Sequence, residues 1–308
     1  MRRKHFDQRV STPEEISERK RRKLNNAVSK IIIFAILLFY ALLLLLPFYT
    51  IIVTSVTSNI EKMSQMSFIW FPKEITFDAY KNVLEQDPVY LTDGVSSIAI
   101  GFFNTLWTTI LTCVVGLFMS GLAAFAYAKL KFKGSNFLFL MQLVTIMIPM
   151  ATMTIPSFIF YESIGWTDSF LPIVVPGLFG GATTIFFLKS YMTSIPDEII
   201  EAAKIDGLGP LSTYVRIIIP LSIPAYVAQF IFGFVGGYNN YQKPLLYLSG
   251  NEKLYTLQLS LNILQGYFSR FSNQLCAIAV IGLIPLLIVY IIFQRFFIEG
   301  IAVGGGKE

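Results

Sequence analysis

The chain alternates between long stretches that lack any charged side chain and short stretches where charges cluster. No Asp, Glu, Lys or Arg occurs in residues 31–60, 94–128, 134–161, 169–188, 217–242 or 271–294. Each block matches or exceeds the roughly 20 residues that a helix needs to cross a hydrocarbon core about 30 Å thick. Lipid cannot satisfy backbone N–H and C=O groups, so such blocks must be helical. The pattern predicts an all-α membrane protein with six transmembrane helices. The first block is too long for the apolar core of a secretory signal, and it ends in Thr54-Ser55-Val56-Thr57 without a small-residue cleavage site, so it reads as an uncleaved span.

Proline and glycine add detail. Pro149, Pro156, Pro172 and Pro176 fall in the third and fourth blocks, where each removes a backbone hydrogen bond and predicts kinked spans. Gly177/Gly181 and Gly233/Gly237 form small-xxx-small pairs, predicting two faces of close helix packing. The second block exceeds what a bilayer requires, so its helix is tilted or projects beyond the lipid. The longest polar segment between blocks, 61–93, is too short for an independent domain. Its Phe68-Ile69-Trp70-Phe71-Pro72 stretch suits the head-group level. Glu162 and Asp168 read as solvated loop acids.

Composition agrees: hydrophobic residues make up 54% and charged residues 14%, against about 25% charged in soluble domains. The distribution of the basic residues says more than the net charge of +5. With the amino terminus inside, the inner segments hold ten, three, three and two Lys or Arg, 18 in all, against six outside. The positive-inside rule then puts both termini in the cytoplasm of a bacterial or archaeal cell, with the protein multi-pass in the plasma membrane. Residues 1–29 form a basic tail, with Ser11-Thr12-Pro13-Glu14 as a capping box opening a short helix. Residues 30–300 form the six-span domain and 301–308 a second tail. The cluster Arg19-Lys20-Arg21-Arg22-Lys23 borders the first span and suits anionic lipid head groups. Nucleic acid is not an expected partner, because the basic residues flank spans.

Few residue types point to chemistry. Cys113 and Cys276 lie inside apolar blocks as packing residues, and the single histidine, His5, sits in the tail. No metal or cofactor is expected. An ion-coupled transporter or a channel is the alternative of another class, and it would place ionisable residues inside the spans; the blocks contain none.

The informative segment joins the fourth and fifth blocks, within residues 194–220. Ser194 is placed to N-cap a helix, Pro196 to stand in its first turn, and Asp197 and Glu198 where the helix dipole favours anions. Gly207 supplies a left-handed stop. Between them lies a helix of roughly three turns with Ile199, Ala202 and Ala203 assigned to one face. A helix this short is unstable alone in water and must pack on something.

Glu201-Ala202-Ala203, Asp206-Gly207 and then Ile218-Ile219-Pro220 resemble the EAA loop of ATP-binding cassette importer permeases. In that family the loop forms a coupling helix seated on a separate ATPase subunit. The resemblance implies that Glu201, Ala202, Ala203, Asp206 and Gly207 couple to the ATPase. Phe103-Asn104-Thr105-Leu106 resembles the family's N-T motif. Residues 294–307 resemble the tail of the sugar-importing branch, with Tyr238-Asn239 where that branch has Trp-Asn. Leu208, Tyr238 and Glu308 depart from the pattern. The resemblance implies a permease subunit importing a sugar or oligosaccharide. Its expected partners are an ATPase dimer, a second permease chain and an extracellular solute-binding protein; an importer for a non-sugar solute is the alternative within the class. The chain carries no G-x-x-x-x-G-K-[ST] phosphate loop, so it is a transport subunit and not itself an enzyme. Polar groups in or beside the spans supply candidates for the solute path: Asn104, Tyr238, Asn239, Asn240 and Tyr241, with Gln142 and Gln229 further along.

Overall fold

The computed structural model describes residues 13–58, 69–85 and 96–305. Helix α1 (Pro13–Ser55) runs without a break, so the short helix expected in the tail and the first span are one element. Ser11 and Thr12 of the expected capping box lie outside the described residues, as do Phe68, Gly306, Lys307 and Glu308. None of the most apolar part of α1 is buried within the chain, which leaves that surface for lipid or another subunit. Helix α2 (Asp78–Glu85) packs Ala79 and Val83 inward, beside the last helix. Ahead of it, Trp70 and Phe71 stay exposed, as an interfacial stretch should.

Helix α3 (Ser97–Lys129) is capped by Ser96, whose hydroxyl accepts from the Ile98 amide. The third block is two helices, α4 (Ser135–Ile146) and α5 (Met150–Ser163), which meet at 87°. Pro149 immediately precedes α5, at the break where its missing N–H is tolerated. Helices α6 (Leu171–Leu178) and α7 (Ala182–Thr193) make the fourth span, with Gly180 at a positive φ of 82° between them. Helix α8 (Asp197–Ile205) is followed by α9 (Pro210–Leu221), which widens to a π-helical turn over Tyr214–Ile218. It meets α10 (Ile223–Tyr238) at 82°, and the bent pair makes the fifth span. Helices α11 (Gln242–Leu248) and α12 (Leu257–Tyr267) lead into α13 (Ser272–Gly305). Four of these segments are long and apolar enough to span a membrane, and each bent pair completes one more, which gives six.

Helix α3 is the axis, with α6, α7, α10 and α12 packed around it. At its start lies one apolar cluster that includes Phe234, Leu257, Leu264, Phe268 and Ile278. At its end lies another, with Phe125, Leu188, Met192, Ile200, Tyr214 and Ile218. The Gly233/Gly237 pair and Gly177 face α3. A Cβ on Gly237 would meet the Thr109 methyl at 2.7 Å, and one on Gly233 the Cys113 sulfur at 3.2 Å. In the other pair the close approach belongs to Gly177 and Gly180, which press on Thr112, Gly116 and Ser120; Gly181 faces nothing tight. Asp168 is no simple solvated acid. Its amide donates to the Tyr247 carbonyl, and its carboxylate accepts from the Gly250 amide at 3.0 Å, tying two loops together.

A docked helix at one end and a polar cavity at the other

Helix α8 sits at the α7/α9 end of the bundle, with one side fixed and one free. Ile200 is buried in the cluster with Leu188, Met192 and Ile195 and Ala203 is buried too, while Glu201, Ala202, Ile205 and Asp206 face outward. Of the expected face, Ile199 packs against the cluster and Ala203 is buried, while Ala202 is exposed and Ile200 takes the buried place beside them. Burying a side chain such as Ile200 contributes about 1.5–3 kcal/mol, which the helix needs at nine residues. The start of α8 also differs from expectation. Ser194 donates its hydroxyl to the Tyr191 carbonyl at 2.7 Å and finishes α7, while Pro196 precedes the first turn of α8 without a side-chain cap.

What holds that first turn is Lys129, the last residue of α3. Its ammonium donates to Asp197 at 2.6 Å and to the Ile195 carbonyl. The lysine side chain is 4% exposed and the aspartate 78%, so a partly desolvated cation grips a wet anion. The Lys129 hydrogen bond and charge hold the Asp197 carboxyl below its ordinary pKa. Beside it a cleft of about 640 Å³ is walled by residues 127–137, Lys131 and Lys133 among them.

The far end closes as expected. Gly207 has φ of 79°; its amide donates to the Lys204 carbonyl, and the Leu208 amide donates to that of Ala203. This is the paired-bond stop that favours glycine. A Cβ there would meet nothing within 4 Å, so only the backbone conformation demands glycine. Tyr214 then pins the returning chain. It is fully buried, stacks on Phe125, donates to the Phe118 carbonyl at 2.7 Å and pairs with the Tyr226 hydroxyl at 2.9 Å. Gly121 makes room for both hydroxyls.

The five candidates for a solute path separate on inspection. Asn104 uses its amide to donate to the carbonyls of Lys253 and Tyr255, at 3.0 and 2.9 Å. Tyr238 is buried and donates to the Gly282 carbonyl. Asn239 accepts from Gln258, and Tyr241 donates to Asn262. Asn240 lines a cavity. That cavity, about 170 Å³, is bounded by Thr105, Thr108, Thr109 and Thr112 of α3, by Gly177, Asn240 and Lys243, and by Thr256. Threonines at helical spacing on a mostly apolar helix were the available sign of this polar face.

The model of the binding-protein-dependent transport system inner membrane component family matches residues 114–303, which span α8 and its anchors. The chain belongs to this family. Among curated relatives of this permease, the arabinooligosaccharides transport system permease protein AraQ of Bacillus subtilis is 30% identical over 77% of this chain and 80% of its own. The protein of the same name from Halalkalibacterium halodurans is 29% identical over 85% and 90%. The polygalacturonan/rhamnogalacturonan transport system permease protein YtcP of B. subtilis is 27% identical over 92% and 100%. A chain in the crystal structure of a bacterial ABC transporter that imports the acidic polysaccharide alginate superimposes with a TM-score of 0.75. It covers 89% of the permease and 98% of itself at 24% identity, which establishes a shared fold. Membership makes the permease a multi-pass inner-membrane transport subunit and not an enzyme.

Proposed function

We propose that this permease carries a sugar or oligosaccharide inward, driven by an ATPase dimer that grips α8 from the cytoplasm. Permeases of this family work with an ATPase and a solute-binding protein. A second, homologous permease chain completes the pathway. The observation that carries the coupling role is the two-sided setting of α8. Ile200, Ala203 and the Lys129 tether fix one side to the bundle, while Glu201, Ala202, Ile205 and Asp206 stay free. Ile205 is 86% exposed, an apolar side chain that a soluble partner could cover. The excess of basic residues at this end supports a cytoplasmic location for α8 and both termini. Sugar as the solute draws support from the relatives, two of which transport arabinooligosaccharides.

In the cycle, ATP closes the ATPase dimer and displaces α8, and the rigid attachment of α8 to α3 and α7 switches the spans between inward-open and outward-open states. The test is uncoupling. Gly207→Pro and Glu201→Lys should leave membrane insertion intact and let ATP hydrolysis proceed without solute uptake. Ile205→Cys should crosslink to a cysteine placed in the ATPase surface groove. Normal uptake in both variants, with no crosslink, would remove the coupling role.

A further inference from the structure

The stretch that joins α8 to the fifth span carries two backbone irregularities close together. In α9 the Ile219 amide donates to the Tyr214 carbonyl, five residues back, where an α-helix would use the fourth. This widened turn holds one residue more than the α-helix around it, and such turns recur at functional sites. Pro220 follows, with no N–H to offer the carbonyls behind it. At Ser222 the helix breaks, with φ of −103° and ψ of 8°, and the 82° bend follows. The Ser222 amide is shared between the carbonyls of Ile218 and Ile219, at 2.9 and 3.0 Å.

Two polar interactions at this joint oppose each other. Ser222 is fully buried, and its hydroxyl has no hydrogen-bond partner among the described residues. The buried residues before and after it, Ile218 and Ala225, belong to an apolar cluster. A buried hydroxyl without a partner raises the energy of the state that holds it. In the other direction, the Tyr214 and Tyr226 hydroxyls pair at 2.9 Å across the joint, and Tyr214 is anchored to the Phe118 carbonyl of α3. One unmet hydroxyl and one hydroxyl–hydroxyl bond are of similar size. A joint balanced in this way can hold two arrangements of nearly equal energy.

We infer that residues 214–222 form a two-register hinge, in which the unmet Ser222 hydroxyl favours leaving the present register and the Tyr214–Tyr226 pair favours staying. This rests on the importer reading above and names the point where a pull on α8 re-aims the fifth span. When the widened turn tightens to an α-helix, one residue passes into the break at Ser222. Everything beyond then shifts by about 100° around and about 1.5 Å along the α9 axis. ATP binding biases the tightened register, which separates the two tyrosines and frees Ser222 from its apolar setting.

The test uses the complete transporter, with its partner permease, ATPase and binding protein, in lipid nanodiscs. Spin labels at Leu211→Cys and Phe232→Cys, both exposed positions, report the joint once Cys113 and Cys276 are replaced by alanine. ATP should change the distance between the labels. Ser222→Ala should raise the thermal midpoint of the nucleotide-free transporter. It should also raise the ATP concentration for half-maximal change roughly five- to thirtyfold. Tyr226→Phe should lower both, the ATP concentration by roughly five- to tenfold. Shifts of the same sign in the two variants would mark both residues as ordinary packing and overturn the hinge. So would unchanged ATP demand in Ser222→Ala. If the wild-type labels ignore ATP while Ile205→Cys still crosslinks to the ATPase, the hinge fails and the importer reading stands. Loss of both signals would remove the importer reading itself.

Discussion

Substituting Gly121 by alanine should disturb the attachment of the coupling loop without touching the loop. Gly121 lies on α3 opposite the hydroxyls of Tyr214 and Tyr226. A Cβ there would stand 1.7 Å from the Tyr226 oxygen, 2.7 Å from its Cζ and 2.5 Å from the Tyr214 oxygen. No side-chain rotation of alanine relieves such contacts, so the tyrosines must move. Overpacking of this kind costs typically 1–3 kcal/mol, and breaking the 2.9 Å bond between the two hydroxyls adds about 1 kcal/mol. The expected loss is about 2–4 kcal/mol. Tyr226→Phe alone should cost only about 1 kcal/mol, since Tyr214 keeps its bond to the Phe118 carbonyl. In the double variant the oxygen nearest the new methyl is gone, so part of the strain disappears with it. Adding Tyr226→Phe to Gly121→Ala should therefore raise stability, with a coupling energy of about 1–2 kcal/mol. Thermal unfolding of the detergent-solubilised transporter, followed by tryptophan fluorescence, reads this directly. If the double variant unfolds below Gly121→Ala by the full Tyr226→Phe decrement, the two residues are independent and the steric reasoning fails.

Other substitutions separate conformation, charge and packing. Gly207→Ala places a Cβ in open space at positive φ, so it should weaken the end of α8 by about 1–2 kcal/mol; amide exchange over residues 203–208 would report it, and Gly207→Asn should cost less. Asp197 has a lowered pKa in the folded chain, so its contribution is complete above the unfolded carboxyl value near 4 and is lost as pH falls through the folded one. The protection of α8 amides, corrected for the intrinsic pH dependence of exchange, should thus be constant from pH 7 to about 5 and fall in more acid solution, and Asp197→Asn should abolish that fall. Asn104→Ala removes two bonds that hold the Lys253–Tyr255 segment, and should destabilise by about 1–3 kcal/mol. Because its amide serves the backbone, solute KM should stay constant while transporter yield falls.

Much of the architecture was legible in where charges are absent. The six uncharged blocks correspond to the six spans, because excluding charge from lipid is a requirement along the whole length of each helix. Gly207 was legible for a related reason: its role is fixed by local backbone geometry, with no distant partner. The phase of α8 was not. Over nine residues the pattern Ile199, Ile200, Ala202, Ala203 suits two adjacent faces, and the bundle chooses Ile200 and Ala203. Ser194 looked like a cap because its spacing suits one, but the Tyr191 carbonyl behind it is the nearer partner. Lys129, Gly121 and Lys243 escaped for a third reason. Lys129 meets Asp197 across 68 positions of sequence, and no local pattern signals so distant a pairing. Lysines beside spans look alike until the fold shows which one touches a carboxylate and which one faces a cavity.

These residues share an element, and that sharing bears on mechanism. Helix α3 carries the threonines of the cavity near its start, Gly121 toward its end and Lys129 as its last residue. From Thr105 to Lys129 an α-helix rises about 36 Å, so one unbroken rod links the polar cavity to the tether of α8. Its neighbours differ: the third and fifth spans bend by 87° and 82°, and the fourth is interrupted at Gly180. An unbroken helix transmits displacement, whereas bent pairs offer hinges where φ and ψ can change cheaply. A push on α8 would then move α3 as a unit, while α4/α5 and α9/α10 flex around it, opening the cavity to one side or the other. Motion of α1 relative to α13 should be small, because those two helices pack on each other. Spin labels placed on α3 and α10 should change separation between nucleotide-free and ATP-bound transporter, while a pair on α1 and α13 should not. The reverse pattern would mean that the rod is fixed and the outer helices move.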